Sequence, residues 1–149
     1  MTDLTWTQKW IGAPFADKGR GPAYDCWGLL WAVLRVQFGV EVPSYPGVSG
    51  EMDNRDQVKE LFEAPAELER WEEVPAGQER PGDGVLIRMR GQPWHVGVVA
   101  GDGMMLHIRD IRDAAGNLLP GSDACLEDYR SSKWRRRILG FYRWRGGRV

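Results

Sequence analysis

The sequence is poor in two residue types that often carry chemistry. Among 149 residues it holds two cysteines, Cys26 and Cys125, and two histidines, His95 and His107. Two cysteines are too few for a disulfide framework, and no Cys-x-x-Cys pair is present to begin a zinc ribbon. No apolar run approaches the ~20 residues of a membrane-spanning helix. The start, Met1-Thr2-Asp3-Leu4-Thr5-Trp6, lacks the basic end and apolar stretch of a secretory signal. The expectation is synthesis in the cytoplasm without a signal peptide, any later export using another route such as lysis or incorporation into a particle. A net charge of -1 argues against nucleic acid as a partner of the whole surface. Internal repeats and low-complexity linkers are also missing.

What is present suffices for a core. The composition is 42% hydrophobic and 28% charged, near the average for a globular protein. A chain of this size hides roughly 70% of its extended surface on folding. Residues 1–149 therefore read as a single domain that needs no metal or disulfide to complete it. The charge is uneven. Eight of the twenty Lys and Arg fall within residues 130–149, where there is no acid, so the rest of the chain is strongly acidic, most of all from Glu51 to Glu73. The eight tryptophans are many for this length. Trp buries a large area and needs a partner for its N–H, so some of them are expected to line a groove.

Elements follow from spacing and punctuation. Thr5 to Ile11 reads as a short helix ended by Gly12 and Pro14, and the Gly- and Pro-rich stretch to Ala23 as a loop. Asp25 is a good N-cap for a helix in which Cys26, Leu29, Leu30, Val33, Leu34 and Phe38 recur at helical spacing up to Gly39. Pro43 and Pro46 break the chain before an amphipathic surface helix over Asp53 to Phe62. Four apolar runs then read as strands: Val85 to Arg90, His95 to Ala100, Met104 to Arg109 and Ile138 to Trp144. Gly91-Gln92-Pro93 and Gly101-Asp102-Gly103 are the turns of an antiparallel meander. Helices first and an antiparallel sheet second is the α+β pattern.

The hairpin register bears on function. A three-residue Gly101-Asp102-Gly103 loop sets Ala100 against Met104, Val98 against Leu106 and Val96 against Ile108, making one face wholly apolar. The opposite face then collects His95, Gly97, Val99, Met105 and His107. His107 lies across from Gly97 and diagonal to His95, so the two histidines become neighbours with room between them.

Cys26 falls at the first turn of the central helix, where unpaired N–H groups and the helix dipole favour a thiolate. The same N–H groups suit the oxyanion of a tetrahedral intermediate. A histidine within reach acts as base, and a second polar group orients it. Taken alone, these residues leave two other readings open. Cysteine is often buried as a small apolar group beside hydrogen-bonded histidines, and one cysteine with two histidines can hold zinc, although their spacing matches no ribbon or finger.

The arrangement around each residue narrows this. Tyr24-Asp25-Cys26-Trp27-Gly28-Leu29 at a helix start is followed by Pro81-Gly82-Asp83-Gly84-Val85-Leu86, His95-Val96-Gly97-Val98-Val99 and Gly103-Met104-Met105-Leu106-His107. In this order and with these gaps, the sequence resembles the NlpC/p60 family of papain-like cysteine peptidases. The resemblance implies a nucleophile at a helix N-terminus packed on a small antiparallel sheet. It assigns Cys26 as nucleophile, His95 as base and later acid, and His107 as the orienting residue, with Tyr24 near the oxyanion site. It implies no metal or cofactor. The implied substrate is a peptidoglycan stem peptide, cut between D-γ-glutamate and a diamino acid. Many members have Ser after the cysteine, where this chain has Trp27, a change expected to reshape the substrate groove. The Asp-Cys-Trp-Gly-Leu form, the missing secretion signal, the lack of an attached wall-binding domain and the strand containing Gly140-Phe141-Tyr142-Arg143 resemble the phage-tail branch. That branch implies association with a virion or tail particle and with other tail proteins.

Other features carry less. Lys133-Trp134-Arg135-Arg136-Arg137 interleaves bases with an aromatic, as single-stranded nucleic-acid binders do, but gatekeeper charge beside a strand explains it equally, and nucleic acid is not the expected partner. Cys125 reads as structural or incidental, in a loop without a histidine nearby. Asp83 and Asp102 read as turn residues. A non-catalytic tail module on the same scaffold and a peptidase that processes a tail protein are the alternatives to wall cleavage.

Overall fold

The computed structural model describes residues 2–42, 71–89 and 92–146, with backbone alone over 92–94. The expected surface helix over Asp53 to Phe62 lies outside these residues. The chain opens with a 3-10 turn, Thr5–Lys9, shorter than the expected helix. Helix α1, Cys26–Phe38, follows the Gly- and Pro-rich loop as its spacing predicts. Asp25 caps its start, and Gly39 ends it in the left-handed conformation at φ 63°.

Six antiparallel strands make one sheet. They are β1 (Trp71–Val74), β2 (Gly84–Met89), β3 (Gln92–Gly101), β4 (Met104–Ile108), β5 (Ala124–Asp128) and β6 (Ile138–Trp144), arranged β1-β6-β2-β3-β4-β5. A single-turn helix α2, Ser132–Arg135, precedes β6. The α+β pattern is thus the observed one. Two boundaries differ from expectation. Gln92 and Pro93 lie in β3, which pairs Gln92 with Met89, and belong to the strand rather than the turn. The turn between β3 and β4 is the two residues Asp102 and Gly103, both at positive φ (54° and 74°). A register shift between Val99 and Gly101 absorbs the extra residue, so Val98 still faces Leu106.

Alternation along the strands divides the core in two. Leu86, Val96, Val98, Leu106, Ile108 and Ala124 face α1, whose Leu29, Leu30, Val33 and Leu34 fill that side together with Trp27 and Trp71. Val85, Ile87, Val99, Met105 and Phe141 face the other way, against Tyr129 and Trp134. A partly buried ion pair fastens the start of β2 to β6: Arg143 donates to both oxygens of Asp83 at 2.9 and 2.8 Å. Asp83 therefore does more than shape a turn. The loop leading to Cys26 is tied along β5, where Gly12 N–H donates to Ala124 O at 2.8 Å and Ala124 N–H to Ala13 O at 2.9 Å.

Candidate active site

The start of α1 is held from two sides. The Asp25 carboxylate accepts the Gly28 N–H at 2.7 Å and an Arg20 guanidinium N–H at 2.9 Å. The Gly19 carbonyl closes on Gly28 so tightly that an added Cβ would sit 1.9 Å from its oxygen. Only glycine fits there, and the contact fixes the first helical turn against the loop. Cys26 opens that turn and is 2% exposed. Burial disfavours the thiolate and the adjacent Asp25 charge adds to it, outweighing the nearby Val96 and Trp27 backbone N–H groups, which favour it. The thiol is pushed up to about 12. The helix terminus alone therefore does not make a thiolate, contrary to the expectation from position. Val96 is the residue after His95, so the sulfur sits at the segment of β3 that carries His95.

The two histidines meet as the register predicts. His95 Nε2 lies 2.8 Å from His107 Nδ1, with the rings edge to face at 5.1 Å. Gly97 makes this possible: a Cβ there would press to 3.2 Å from the His107 Cβ. A third member was not anticipated. His107 Nε2 lies 2.6 Å from Glu127 Oε2 on β5. That hydrogen bond holds the Glu127 carboxyl well below its usual range, at about 2, so it is ionised at neutral pH. Burial, and then the neighbouring His107, push His95 down to about 3.

The ionised carboxylate sets the direction of the chain. A carboxylate only accepts, so His107 Nε2 must carry a proton. With both imidazoles neutral, His107 Nδ1 is then an acceptor and His95 Nε2 the donor to it. The remaining nitrogen, His95 Nδ1, is left with a lone pair. Three side chains on three adjacent strands thus leave one nitrogen lone pair in a defined tautomer. Trp134 stacks edge-on against His107 at 5.0 Å, and Lys133 Nζ lies 3.7 Å from Glu127 Oε1. Trp134 is buried. Its ring is committed to this cluster, so it is not available for stacking on a nucleic-acid base.

Other expected site residues are placed differently. Trp27 is completely buried and meets Trp71 edge to face at 6.1 Å, so its side chain belongs to the core and does not line a groove. The Trp27 indole joins Trp71 in the apolar cluster under α1. The Trp27 backbone N–H, near the Cys26 sulfur, favours the thiolate. Tyr24 is half-buried and packs on Trp10, and a Cβ on Gly21 would lie 3.0 Å from its hydroxyl oxygen. Cys125 is not remote from histidine. It is the Cα partner of His107 across β4 and β5, with its sulfur 3.7 Å from His107 Nε2 and 3.9 Å from Glu127 Oε2. Burial and the Glu127 charge push its thiol up to about 11. Glu127 itself could have been found from the alternation Ala124-Cys125-Leu126-Glu127, which sets both polar residues on the face opposite Ala124 and Leu126.

An α+β sheet with a cysteine at the start of its central helix and a His–His–carboxylate chain across its strands defines a papain-like architecture. The NlpC/P60 family model matches residues 12–143, and the chain belongs to that family, whose members are commonly peptidoglycan hydrolases and typically cysteine peptidases. Solved structures share the fold at low identity. An NlpC/P60 family protein from Bacillus cereus ATCC 10987 superposes with a TM-score of 0.60 at 20% identity, over 95% of this chain and 39% of that one. An NLP/P60 family protein similar to lipoprotein, from Staphylococcus aureus subsp. aureus Mu50, gives 0.60 at 17%, with the same coverage. This chain thus spans about two fifths of either (39%). The NlpC/p60 domain of the peptidoglycan hydrolase SagA gives 0.55 at 17%, over 92% of both chains. No curated protein sequence matches the chain. Among the described residues, no helix is long and apolar enough to cross a membrane.

Proposed function

We propose that this chain is a cysteine endopeptidase acting on peptidoglycan stem peptides, at an amide bond of the D-γ-glutamyl-diamino acid type. Cys26 is the nucleophile, His95 the base, His107 the orienting residue and Glu127 the anchor of the orienting chain. The observation that carries this reading is the chain His95–His107–Glu127, at 2.8 and 2.6 Å, with the Val96 backbone next to His95 lying near the Cys26 sulfur.

The resting pair is a neutral thiol and a neutral imidazole, so the proton moves as the bond forms. Cys26 sulfur attacks the amide carbonyl while its proton passes to His95 Nδ1. The new imidazolium is stabilised through His107 by the Glu127 carboxylate. General-base transfer of this kind supplies roughly 10²–10⁴ in rate. The tetrahedral oxyanion is met by N–H groups at the start of α1 and by Tyr24, each donor contributing about 3 kcal/mol in a dry site. His95 then returns its proton to the leaving amine, the C–N bond breaks, and a thioester remains on Cys26. Water, deprotonated by His95, releases the carboxylic acid and restores the thiol.

The Asp25-Cys26-Trp27-Gly28-Leu29 form and the strand containing Gly140 to Arg143 support a phage or prophage tail setting, with other tail proteins as partners. A second reading, an interaction module on the same scaffold, is favoured by the depth of Cys26. One experiment separates the two. The protein is incubated with stem tripeptides ending in meso-diaminopimelate or lysine, and the products are weighed by mass spectrometry. The proposal expects a free diamino acid from wild type and none from Cys26→Ala. Equal yields from both would remove it.

A further inference from the structure

A second cluster of chemically competent groups shares two members with the orienting chain and adds a third. Cys125 Sγ, His107 Nε2 and a Glu127 carboxylate oxygen all lie within 4.8 Å of one another. They comprise one thiol, one imidazole and one carboxylate from two adjacent strands. The reaction uses His107 and Glu127 but gives Cys125 no task.

We propose that His107, Cys125 and Glu127 form a binding site for a borderline-soft divalent cation, with Zn²⁺ the best fit, and that its occupation switches the hydrolase off. The switch rests on the catalytic reading above; the site itself does not. Zinc binds sulfur at about 2.3 Å and imidazole nitrogen or carboxylate oxygen at about 2.0–2.2 Å in a tetrahedron, which sets ligand pairs about 3.3–3.7 Å apart. The sulfur already stands 3.7 Å from Nε2 and 3.9 Å from Oε2. Only the 2.6 Å contact between Nε2 and Oε2 must open. Glu127 can supply that movement, since its side chain is 26% exposed and its other oxygen faces Lys133. The partial exposure of Glu127 and Cys125 gives an entry path and leaves the fourth position to water. A thiolate in the set selects zinc over magnesium or calcium.

The inhibitory effect follows from the tautomers. In the metal-free chain the proton of His107 is on Nε2 and that of His95 is on Nε2. A metal on His107 Nε2 needs the lone pair there, so that proton leaves to solvent. The His95 Nε2 proton crosses the 2.8 Å bond to His107 Nδ1. His95 then takes a proton from solvent on Nδ1. The two imidazoles keep two protons in total, and the Cys125 thiol releases one to solvent as it becomes a ligand. His95 Nδ1 changes from acceptor to donor and can no longer take the proton of Cys26. His107 retains a hydrogen-bonded second nitrogen, as metal-bound histidines usually do.

The test uses the full chain with Cys26→Ser, in which Cys125 is the sole thiol, titrated with Co²⁺ as a spectroscopic substitute. The expected result is one equivalent with a thiolate-to-cobalt charge-transfer band in the near ultraviolet, erased by Zn²⁺. Cys125→Ser should lose the band and at least about 100-fold in affinity. Glu127→Gln, as a second variant with Cys125 intact, should keep the band and bind more weakly. In parallel, the ratio of stem-peptide hydrolysis with and without Zn²⁺ is taken within each variant: it should fall at least tenfold in wild type and stay near one in Cys125→Ser. A Cys26→Ser protein without the band, or a band that persists in Cys125→Ser, overturns the site. Hydrolysis that zinc leaves unchanged overturns the switch while the peptidase reading stands. A zinc site formed through Cys125 in a protein with no hydrolysis keeps the site and removes the peptidase reading.

Discussion

The two faces of the sheet are made by the same strands yet follow opposite rules. Under α1, Val96, Val98, Leu106 and Ile108 meet leucines, a valine and two tryptophans, and the cluster is apolar throughout. On the other face the alternate residues His95, His107, Cys125 and Glu127 continue a smaller apolar cluster as a polar chain. The helix-covered face supplies rigidity and fixes where Cys26 sits. The other tolerates buried polar groups because each finds a partner, which is the condition under which such groups are retained. A one-residue slip of β3 would exchange the faces and put His95 under the helix.

Breaking the polar face should cost activity, and breaking the apolar face should cost stability. Among the variants, the largest loss is expected for Cys26→Ala, at more than about 10⁴-fold in kcat/KM with circular dichroism unchanged, and His95→Ala should be nearly as severe. Next come paired glycine substitutions, one on each side. Gly28→Ala drives a Cβ to 1.9 Å from the Gly19 carbonyl and should lower unfolding stability in urea by about 3 kcal/mol. Gly97→Ala meets His107 and the Leu106 carbonyl at 3.2 Å; it should lose about 1 kcal/mol in the same measurement, with a larger loss in kcat. Glu127→Gln removes the charge that sets the tautomers and should lower kcat by about 10²-fold with KM little changed.

A pH series sharpens the same contrast. His95 is pushed below its ordinary 6.5 to about 3, chiefly by burial, so the unfolded chain binds more protons than the folded one between these values. Glu127, lowered from 4.5 to about 2 by the His107 hydrogen bond, acts in the same direction over its own interval. Stability should therefore decline as pH falls from 6.5 towards 2, and the His95→Ala variant should show a shallower decline in a urea midpoint series.

How much of this was legible in the sequence depended on local signal. Helix α1 carried a capping Asp25, a helical period and a terminal Gly39, and it appears where expected. Strand β6 runs over the expected Ile138–Trp144. The pairing of His95 with His107 was readable because the apolar alternation of β3 and β4 favours one register, even though a two-residue turn with a register shift produces it in place of a three-residue loop. Strand β5 carries little sequence signal because it is five residues long and lies among turn residues, and Glu127 lies on it. Strand β1 is four residues with Glu72 and Glu73 side by side, which breaks the period of two. The place of Trp27 is not legible from its neighbour Cys26, because the Trp71 that receives its ring is distant in sequence. The Cys26 thiol is raised rather than lowered because burial and Asp25 are tertiary effects that position at a helix terminus does not reveal.

The central claim is that Cys26 carries the acyl group while the chain ending at Glu127 orients the base. Acid quenching during turnover of the diaminopimelate tripeptide, followed by intact-mass and peptide analysis, tests it directly. A thioester adduct on the peptide containing Cys26 should build up in wild type and be absent from Cys26→Ala. An adduct on Cys125, or turnover that persists in Cys26→Ala, would contradict it.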